Sequence, residues 1–463
     1  MKYDLLVIGS GPGGYVAAIR ASQLGMKTGI IEKAELGGIC LNWGCIPAKS
    51  LLKSAQVYQY IQHAQEYGIS KTGTIKPDFS KMIGRSRTVA ENMSKGVQFL
   101  LKKNKIDHIS GHGRLVDSQT AEVTGKDRQK ENITANHIIL ATGARSKELP
   151  GVKQDGKKII GYREALSLDR QPESMVIVGS GAIGSEFAHF YNTIGTKVIL
   201  VELLPNIVPL EDEEVSKQLE RSFKKAGIKV LTNSTVESAV ISGNKCKVKI
   251  KTGKGADAYE TDLVLSAVGI TPNLENLGIE SLGIQLDKGK IKVDDFYRTS
   301  IKGIYAVGDI VHGPALAHVA SAEGIVCVEK IAGKDPAPVD YNNIPACTYT
   351  SPEIASVGYT EKTAREAGYD IKVGRFPFTA SGKANASGHK EGFIKLIFDA
   401  KYGELLGGHM IGDNVTEMIA EIVVARKLET TGTEIIKSIH PHPTMSEAIM
   451  EAAAAAYNEV IHL

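Results

Sequence analysis

Tyr3-Asp4-Leu5-Leu6-Val7-Ile8-Gly9-Ser10-Gly11-Pro12-Gly13-Gly14 lies near the start of the sequence, and Met175-Val176-Ile177-Val178-Gly179-Ser180-Gly181-Ala182-Ile183-Gly184 repeats its pattern. Each is a short apolar strand running into a glycine turn and then into a helical pattern, over residues 15–25 and 185–194. Gly9 permits the tight turn, Gly11 lets the backbone approach a pyrophosphate, and Gly14 lets helix and strand pack closely. Gly179, Gly181 and Gly184 stand at the same places in the repeat. The helix N-terminus then turns N–H groups and a positive dipole end toward phosphate. A second strand follows each turn, over 27–31 and 197–201, and ends on Glu32 or Glu202, placed to accept a hydrogen bond from a ribose.

One such glycine motif is weak evidence. Two are another matter, because each acid follows the first glycine of its turn by 23 residues. Each unit also closes on a buried strand with small residues after it, Ala141-Thr142-Gly143-Ala144 and Ala267-Val268-Gly269, and alternating segments such as 245–251 suggest a small antiparallel insert. The sequence predicts an α/β fold with two Rossmann-like dinucleotide-binding domains. No Gly-Lys-Ser/Thr phosphate loop is present, which argues against nucleoside triphosphate hydrolysis. Two dinucleotides suit hydride transfer between a nicotinamide and a flavin. Glu202 would repel a 2′-phosphate, and Leu203-Leu204-Pro205-Asn206-Ile207 offers no Arg or Lys to receive one, so NAD is expected over NADP.

With 463 residues the chain has room for roughly three domains of ~150 residues. A formal net charge of +3 is too small for a footprint on nucleic acid or an anionic membrane, and neither is expected as a partner. No apolar run reaches the ~18–20 residues of a spanning helix and no signal-peptide pattern precedes the first strand, so a soluble, cytoplasmic protein is expected. Of the five cysteines, Cys246, Cys327 and Cys347 are scattered and read as inert packing residues.

Cys40 and Cys45 differ. They lie in Gly37-Gly38-Ile39-Cys40-Leu41-Asn42-Trp43-Gly44-Cys45-Ile46-Pro47-Ala48-Lys49. In a regular helix, Cα atoms five residues apart lie ~8.6 Å from each other. A disulfide tolerates no more than about 6.8 Å, so the segment must bend for the sulfurs to join, with Gly38, Gly44 and Pro47 available to shape it. Strain makes a disulfide easier to reduce, which suits a redox bond. Two buried thiols or a metal site are the alternatives. A metal site usually has shorter spacing and a second ligand pair, so no metal is expected.

The segment from Gly38 to Pro47 resembles the active-site motif of the flavoprotein disulfide reductases, the pyridine nucleotide-disulfide reductase family. The resemblance spans the chain, through Ala141-Thr142-Gly143, the second glycine turn with Glu186 after it, Ile304-Tyr305-Ala306-Val307-Gly308-Asp309 and His440-Pro441-His442-Pro443-Thr444-Met445-Ser446-Glu447. It implies that Cys40 exchanges with substrate and Cys45 faces the flavin. It implies FAD lined by Glu32, Lys33, Gly38, Lys49, Gly113, Thr142, Gly143, Ala144, Asp309, Ala315, Leu316, Ala317 and His318, with Lys49 paired to Glu186. Glu202, Val236 and Gly269 would contact NAD. His442 would be the base, oriented by Glu447, because the thiolate is the nucleophile in thiol–disulfide exchange; His440 reads as structural. Ile270, Val319 and Ser321 depart from the family's commoner residues, near the cofactor contacts.

The expected organisation is an FAD domain at 1–148, a NAD domain at 149–271, a central segment at 272–342 returning Asp309 to the flavin, and an α+β dimer-interface domain at 343–463. Its last helix is expected over 447–460. The resemblance implies a homodimer that oxidises protein-bound dihydrolipoyl groups, with a lipoyl-bearing acyltransferase or the H protein of glycine cleavage as partner. The rivals are a glutathione-type reductase and a non-catalytic docking subunit.

Overall fold

The computed structural model describes residues 2–463, which pack as two compact units. The first comprises residues up to Leu51, Phe79–Lys147 and Ile270–Val339. Its sheet sets the parallel strands Asp107–Ser110, Thr28–Glu32, Lys2–Ile8 and Lys130–Leu140 side by side in that order. Ile304–Ala306 also pairs in parallel with Lys130–Leu140, and Thr120–Thr124 and His112–Leu115 extend the sheet in antiparallel fashion. Side chains alternate across a strand. Leu5 and Val7 accordingly join Ala17, Ala18 and Ala21 of a helix on one face, while Leu6 and Ile8 join Ile138 and Leu140 on the other. Burial on both faces explains why these strands read as unbroken apolar runs.

The second unit comprises Leu52–Asp78, Glu148–Gly269 and Asp340–Leu463. It repeats the parallel order with Lys229–Leu231, Lys197–Val201, Ser174–Val178, Leu263–Ser266 and Ile159–Ile160. The antiparallel insert is Thr235–Ser242, Lys245–Thr252 and Gly255–Thr261, with Cys246, Val248 and Ile250 buried beneath it. A separate antiparallel sheet holds Ala346–Thr348, Glu353–Gly358, Leu405–Gly412, Phe393–Asp399 and Ile371–Pro377 in that order. Helices Val415–Lys427 and Glu447–Ala456 share its core, and fully buried Ala448, Ala452 and Ala453 let the last helix lie close.

Three expectations shift. The helices after the glycine turns start earlier, at Pro12 and Ala182, because Gly11 and Gly181 are the N-caps and proline suits a first helical turn. The last helix stops at Ala456 instead of 460, since Asn458 takes a left-handed conformation and Glu459 N–H turns back to Ala454 O at 2.9 Å. Cys246 and Cys327 are fully buried as expected, but Cys347 is only partly so.

Within the second unit, one buried cation ties a helix to the interface sheet. Lys395 sits in strand Phe393–Asp399 with a side chain 3% exposed. It bonds Asp212 at 3.1 Å, Glu214 at 2.8 Å and Glu361 at 2.9 Å. Asp212 also caps helix Glu213–Lys225 by accepting from Glu214 N–H at 3.0 Å. Burial opposes the charge, but Glu214 and Glu361 outweigh it and raise the lysine's pKa. Lys395→Met strands the buried Asp212 carboxylate beside the half-exposed Glu214 and Glu361, so urea denaturation should show a loss of about 2 kcal/mol. Adding Asp212→Asn and Glu214→Gln should restore part of it.

Candidate active site

The two glycine turns are built alike. Gly9 N–H donates to Ile31 O and Ala141 N–H to Ile8 O, both at 2.8 Å; Gly179 N–H donates to Val201 O and Ala267 N–H to Val178 O, also at 2.8 Å. A Cβ on Gly14 would lie 1.9 Å from Gly9 O, and one on Gly184 would lie 1.9 Å from Gly179 O, so neither position takes a side chain.

The acids behave alike too. One Glu32 oxygen accepts from Ser10 N at 2.8 Å and Ser10 Oγ at 2.7 Å, and the other from Ala34 N at 2.9 Å. Glu202 accepts from Ser180 N at 2.9 Å, Ser180 Oγ at 2.6 Å and Leu204 N at 2.9 Å. A carboxylate has about four acceptor sites. Three are occupied, and one remains for a ribose hydroxyl. Ser10 and Ser180 escaped the sequence reading, although their matching places between the first two glycines were the available signal.

In the first unit the residues suit FAD. The space where a Gly11 Cβ would stand is open, beside the N-terminus of helix Pro12–Gln23. Gly113 is buried against Ile8 and Ile31 at the strand ends. Asn273 braces the closing turn: its backbone carbonyl accepts from Thr142 Oγ1 at 2.8 Å, its side-chain Nδ2 donates to Thr142 O at 3.0 Å, and its backbone N–H donates to Gly143 O at 2.9 Å. Ala144 continues into a short strand paired with Ile270–Pro272, which is where Ile270 is used. Asp309 lies in the turn Gly308–Ile310, whose Gly308 N–H donates to Glu323 at 2.6 Å. Burial pushes the Asp309 carboxyl up while Lys290 opposes it. A half-buried carboxyl of this kind suits a polyol chain. Ala315 and Leu316 lead into helix Ala317–Ile331, with His318 in its first turn, Val319 buried, and Ser321 Oγ donating to Ala317 O at 3.0 Å. Lys33 is exposed beside Glu32.

The cysteine segment bends where the spacing required it. A short helix, Gly38–Trp43, ends at Gly44, and a second, Cys45–Gln62, begins immediately. Gly38 is left-handed at φ +63°, and a Cβ there would stand 2.7 Å from Gly11 Cα, so the segment rests directly on the first glycine turn. Buried Asn42 holds the bend by donating to Leu36 O and Gly38 O, each at 2.9 Å. Cys40 and Cys45 meet as a hydrogen-bonded dithiol. The Cys45 bond, then burial, push the Cys40 thiol far up, while Lys49 pulls the other way.

The remaining sites fall in the second unit. Val236 is buried at the start of the insert, and Gly269 follows the closing strand. Glu186 accepts from Tyr349 N–H at 3.1 Å, and its expected partner Lys49 belongs to the first unit. His442 Nδ1 lies 2.8 Å from Glu447, which also accepts from Thr444 N–H at 2.8 Å. A carboxylate there makes Nδ1 the donor and leaves Nε2 to accept a proton. Burial raises the Glu447 carboxyl, but Thr444 and His442 outweigh it and leave it lowered. Two residues earlier, His440 faces Glu421 at 2.8 Å through Nε2 and Ser438 O at 3.0 Å through Nδ1. Among the described residues no cluster of His, Cys, Asp and Glu is built to hold a metal, and no helix is long and apolar enough to cross a membrane.

This arrangement has known relatives. The pyridine nucleotide-disulphide oxidoreductase pattern matches residues 3–324 and the family's dimerisation domain matches 344–453, so the chain belongs to the pyridine nucleotide-disulphide oxidoreductase family, whose enzymes use FAD and NAD(H). It is 47% identical to a dihydrolipoyl dehydrogenase of Rhizobium etli over 100% of this chain and 99% of that one. A dihydrolipoyl dehydrogenase of Zymomonas mobilis is 48% identical over 99% of each chain. The crystal structure of LpdA from Mycobacterium tuberculosis shares the fold with a TM-score of 0.90 at 29% identity, over 97% of this chain and 98% of that one.

If Glu447 orients the imidazole, Glu447→Gln should lower kcat for dithiol oxidation about tenfold. His442→Gln should lower it by the ~10²–10⁴ of a lost general base. Stopped-flow reduction of the enzyme by dithiol measures both, and direct reduction by NADH should stay unchanged.

Proposed function

We propose that the chain catalyses the reaction of a dihydrolipoamide dehydrogenase, oxidising protein-bound dihydrolipoamide to lipoamide while NAD⁺ becomes NADH and a proton is released. The observation that carries this is the Cys40–Cys45 dithiol seated on the first glycine turn, in a chain whose curated relatives named above are dihydrolipoyl dehydrogenases over their whole length.

In the forward direction, His442 takes a proton from one substrate thiol. The resulting thiolate attacks Cys40 of the Cys40–Cys45 disulfide, and Cys45 leaves as thiolate. The second substrate thiol gives up its proton to solvent and attacks the substrate sulfur of the mixed disulfide, forming lipoamide, while Cys40 leaves and takes the proton held by His442. The upward push on the Cys40 thiol, from its bond to Cys45 and from burial, is in keeping with this order. FAD, held by Glu32, Lys33, Gly113, Thr142, Gly143, Ala144, Asp309 and Ala315 to His318, supplies the two-electron relay to NAD⁺. The family's motif assigns Lys49 to the flavin side and names Glu186 as its partner, and Glu202, Val236 and Gly269 would receive the nicotinamide dinucleotide.

The functional division is an FAD domain at 1–148, a NAD domain at 149–271, a central segment at 272–342 and an interface domain at 343–463. The partner is a lipoyl-bearing acyltransferase or the H protein of glycine cleavage, and the compartment is the cytoplasm. A glutathione-type reductase is the weaker reading, because Leu203 and Leu204 stand exposed beside Glu202 where a 2′-phosphate would need cations. Each active site joins the disulfide of one subunit to the His442–Glu447 pair of the other. The support is the His442 side chain, 78% exposed within its own chain, which is poor shelter for a base that must exclude water.

Nicotinamide absorbance with lipoamide and glutathione disulfide as acceptors tests the reading. Lipoamide should be the substrate, and NADH should exceed NADPH at least ~10-fold in kcat/KM, about 1.4 kcal/mol. Equal rates with NADPH, or preference for glutathione disulfide, would sink it. For the shared site, Cys40→Ser and His442→Gln enzymes should each be nearly inactive. Refolded together, about half the dimers should be mixed and about a quarter of all sites restored. A mixture as inactive as its parents, with mixed dimers confirmed by mass, would rule the shared site out.

A further inference from the structure

Helix Phe79–Lys103 runs beside the redox segment, and three consecutive residues of it grip that segment's backbone. Arg85 Nη1 donates to Ser50 O at 2.9 Å and to Ser50 Oγ at 2.8 Å. Ser86, fully buried, donates from Oγ to Pro47 O at 3.0 Å. Arg87 Nη1 donates to Asn42 O at 2.6 Å, and its guanidinium carbon lies 3.9 Å from the centre of the Trp43 ring. The three carbonyls straddle Gly44, where one helix ends and the next begins. A helix leaves its last four carbonyls without intrahelical donors, and the break puts Asn42 among them. Arg87 supplies that donor and, by stacking, fixes the plane of the residue between the two cysteines.

We propose that Arg87, supported by Arg85 and Ser86, is the positioning residue that keeps Cys40 and Cys45 at bonding distance in both redox states, which rests on their being the redox pair. Joining the sulfurs removes two protons and two electrons and forms one S–S bond. A segment free to relax into a continuous helix would draw the sulfurs apart each time the bond opened, and closing it again would require rebending the chain. With the bend anchored from outside, the dithiol already has the shape of the disulfide. Lysine cannot substitute, because it has no plane to lie on the indole.

The measurement is the thiol–disulfide equilibrium of the FAD-loaded enzyme in dithiothreitol buffers, read by alkylation and mass of the 40–45 peptide. In Arg87→Met the constant for forming the disulfide should fall about tenfold, a shift of about 30 mV toward an easier reduction. Arg87→Lys should behave like Arg87→Met. Trp43 is the only tryptophan in the chain, so its emission reports the clamp directly, and acrylamide should quench it more readily in both variants. Should Arg87→Met fail to fold, Trp43→Leu removes the stacking plane from the other side and should shift the equilibrium the same way. An unchanged constant in these variants overturns the proposal, and so does a lysine variant that matches wild type, since charge alone would then suffice. A wild-type enzyme whose two cysteines never join would overturn the redox reading beneath it.

Discussion

Gly38 lies against Gly11 with no room for a single methyl group between them. That backbone contact decides what Gly38 must be, while a Cβ on Gly11 would point into open space. The turn has to be glycine to admit phosphate, and the segment crossing it has to be glycine to come so near. Cys40 follows two residues on in the same short helix, and Cys45 opens the next. Gly44 completes the constraint by ending the first short helix before it carries the second sulfur away. Since a bend in a helix leaves carbonyls unsatisfied, the donors must come from elsewhere, and Asn42 from within and Arg87 from the neighbouring helix provide them.

The same economy appears in the duplicated acids. Ser10 and Ser180 each give two hydrogen bonds to one oxygen of the acid that ends the next strand. The serine thereby fixes where the glycine turn sits relative to the second strand, and the identical spacing in sequence follows from an identical set of bonds. What distinguishes the two sites is what comes after. Lys33 follows Glu32, whereas two exposed leucines follow Glu202, so one acid has a cation beside it and the other an apolar face.

The features legible in the sequence were those whose cause is local. Glycine turns, strand-ending acids and a cysteine spacing too long for a regular helix each carry their reason within a few residues. The helix starts at Pro12 and Ala182 were misplaced because the glycine turn hides that its last residues are already helical. Lys395 carries no local signal, since nothing nearby in sequence announces Asp212 and Glu361. Arg85, Ser86 and Arg87 were invisible for a further reason. Neighbouring residues of a helix do not share a face, so no i, i+4 pattern marks three in a row that act together.

The two histidines of the C-terminal motif show why spacing alone could not divide their roles. Each has a glutamate within hydrogen-bond distance, at 2.8 Å in both cases. But His440 places both ring nitrogens against acceptors, Glu421 and the Ser438 carbonyl, and only an imidazolium can donate to both. The Glu421 bond accordingly raises its pKa despite burial, and the side chain is 8% exposed. A ring with both nitrogens engaged has no free lone pair with which to accept a substrate proton. His442 gives one nitrogen to Glu447 and keeps the other toward solvent, so it can both take a proton and be steadied while it does. Two histidines one proline apart thus divide into a ring engaged at both nitrogens and an imidazole with a nitrogen to use, and the second acceptor is what separates them.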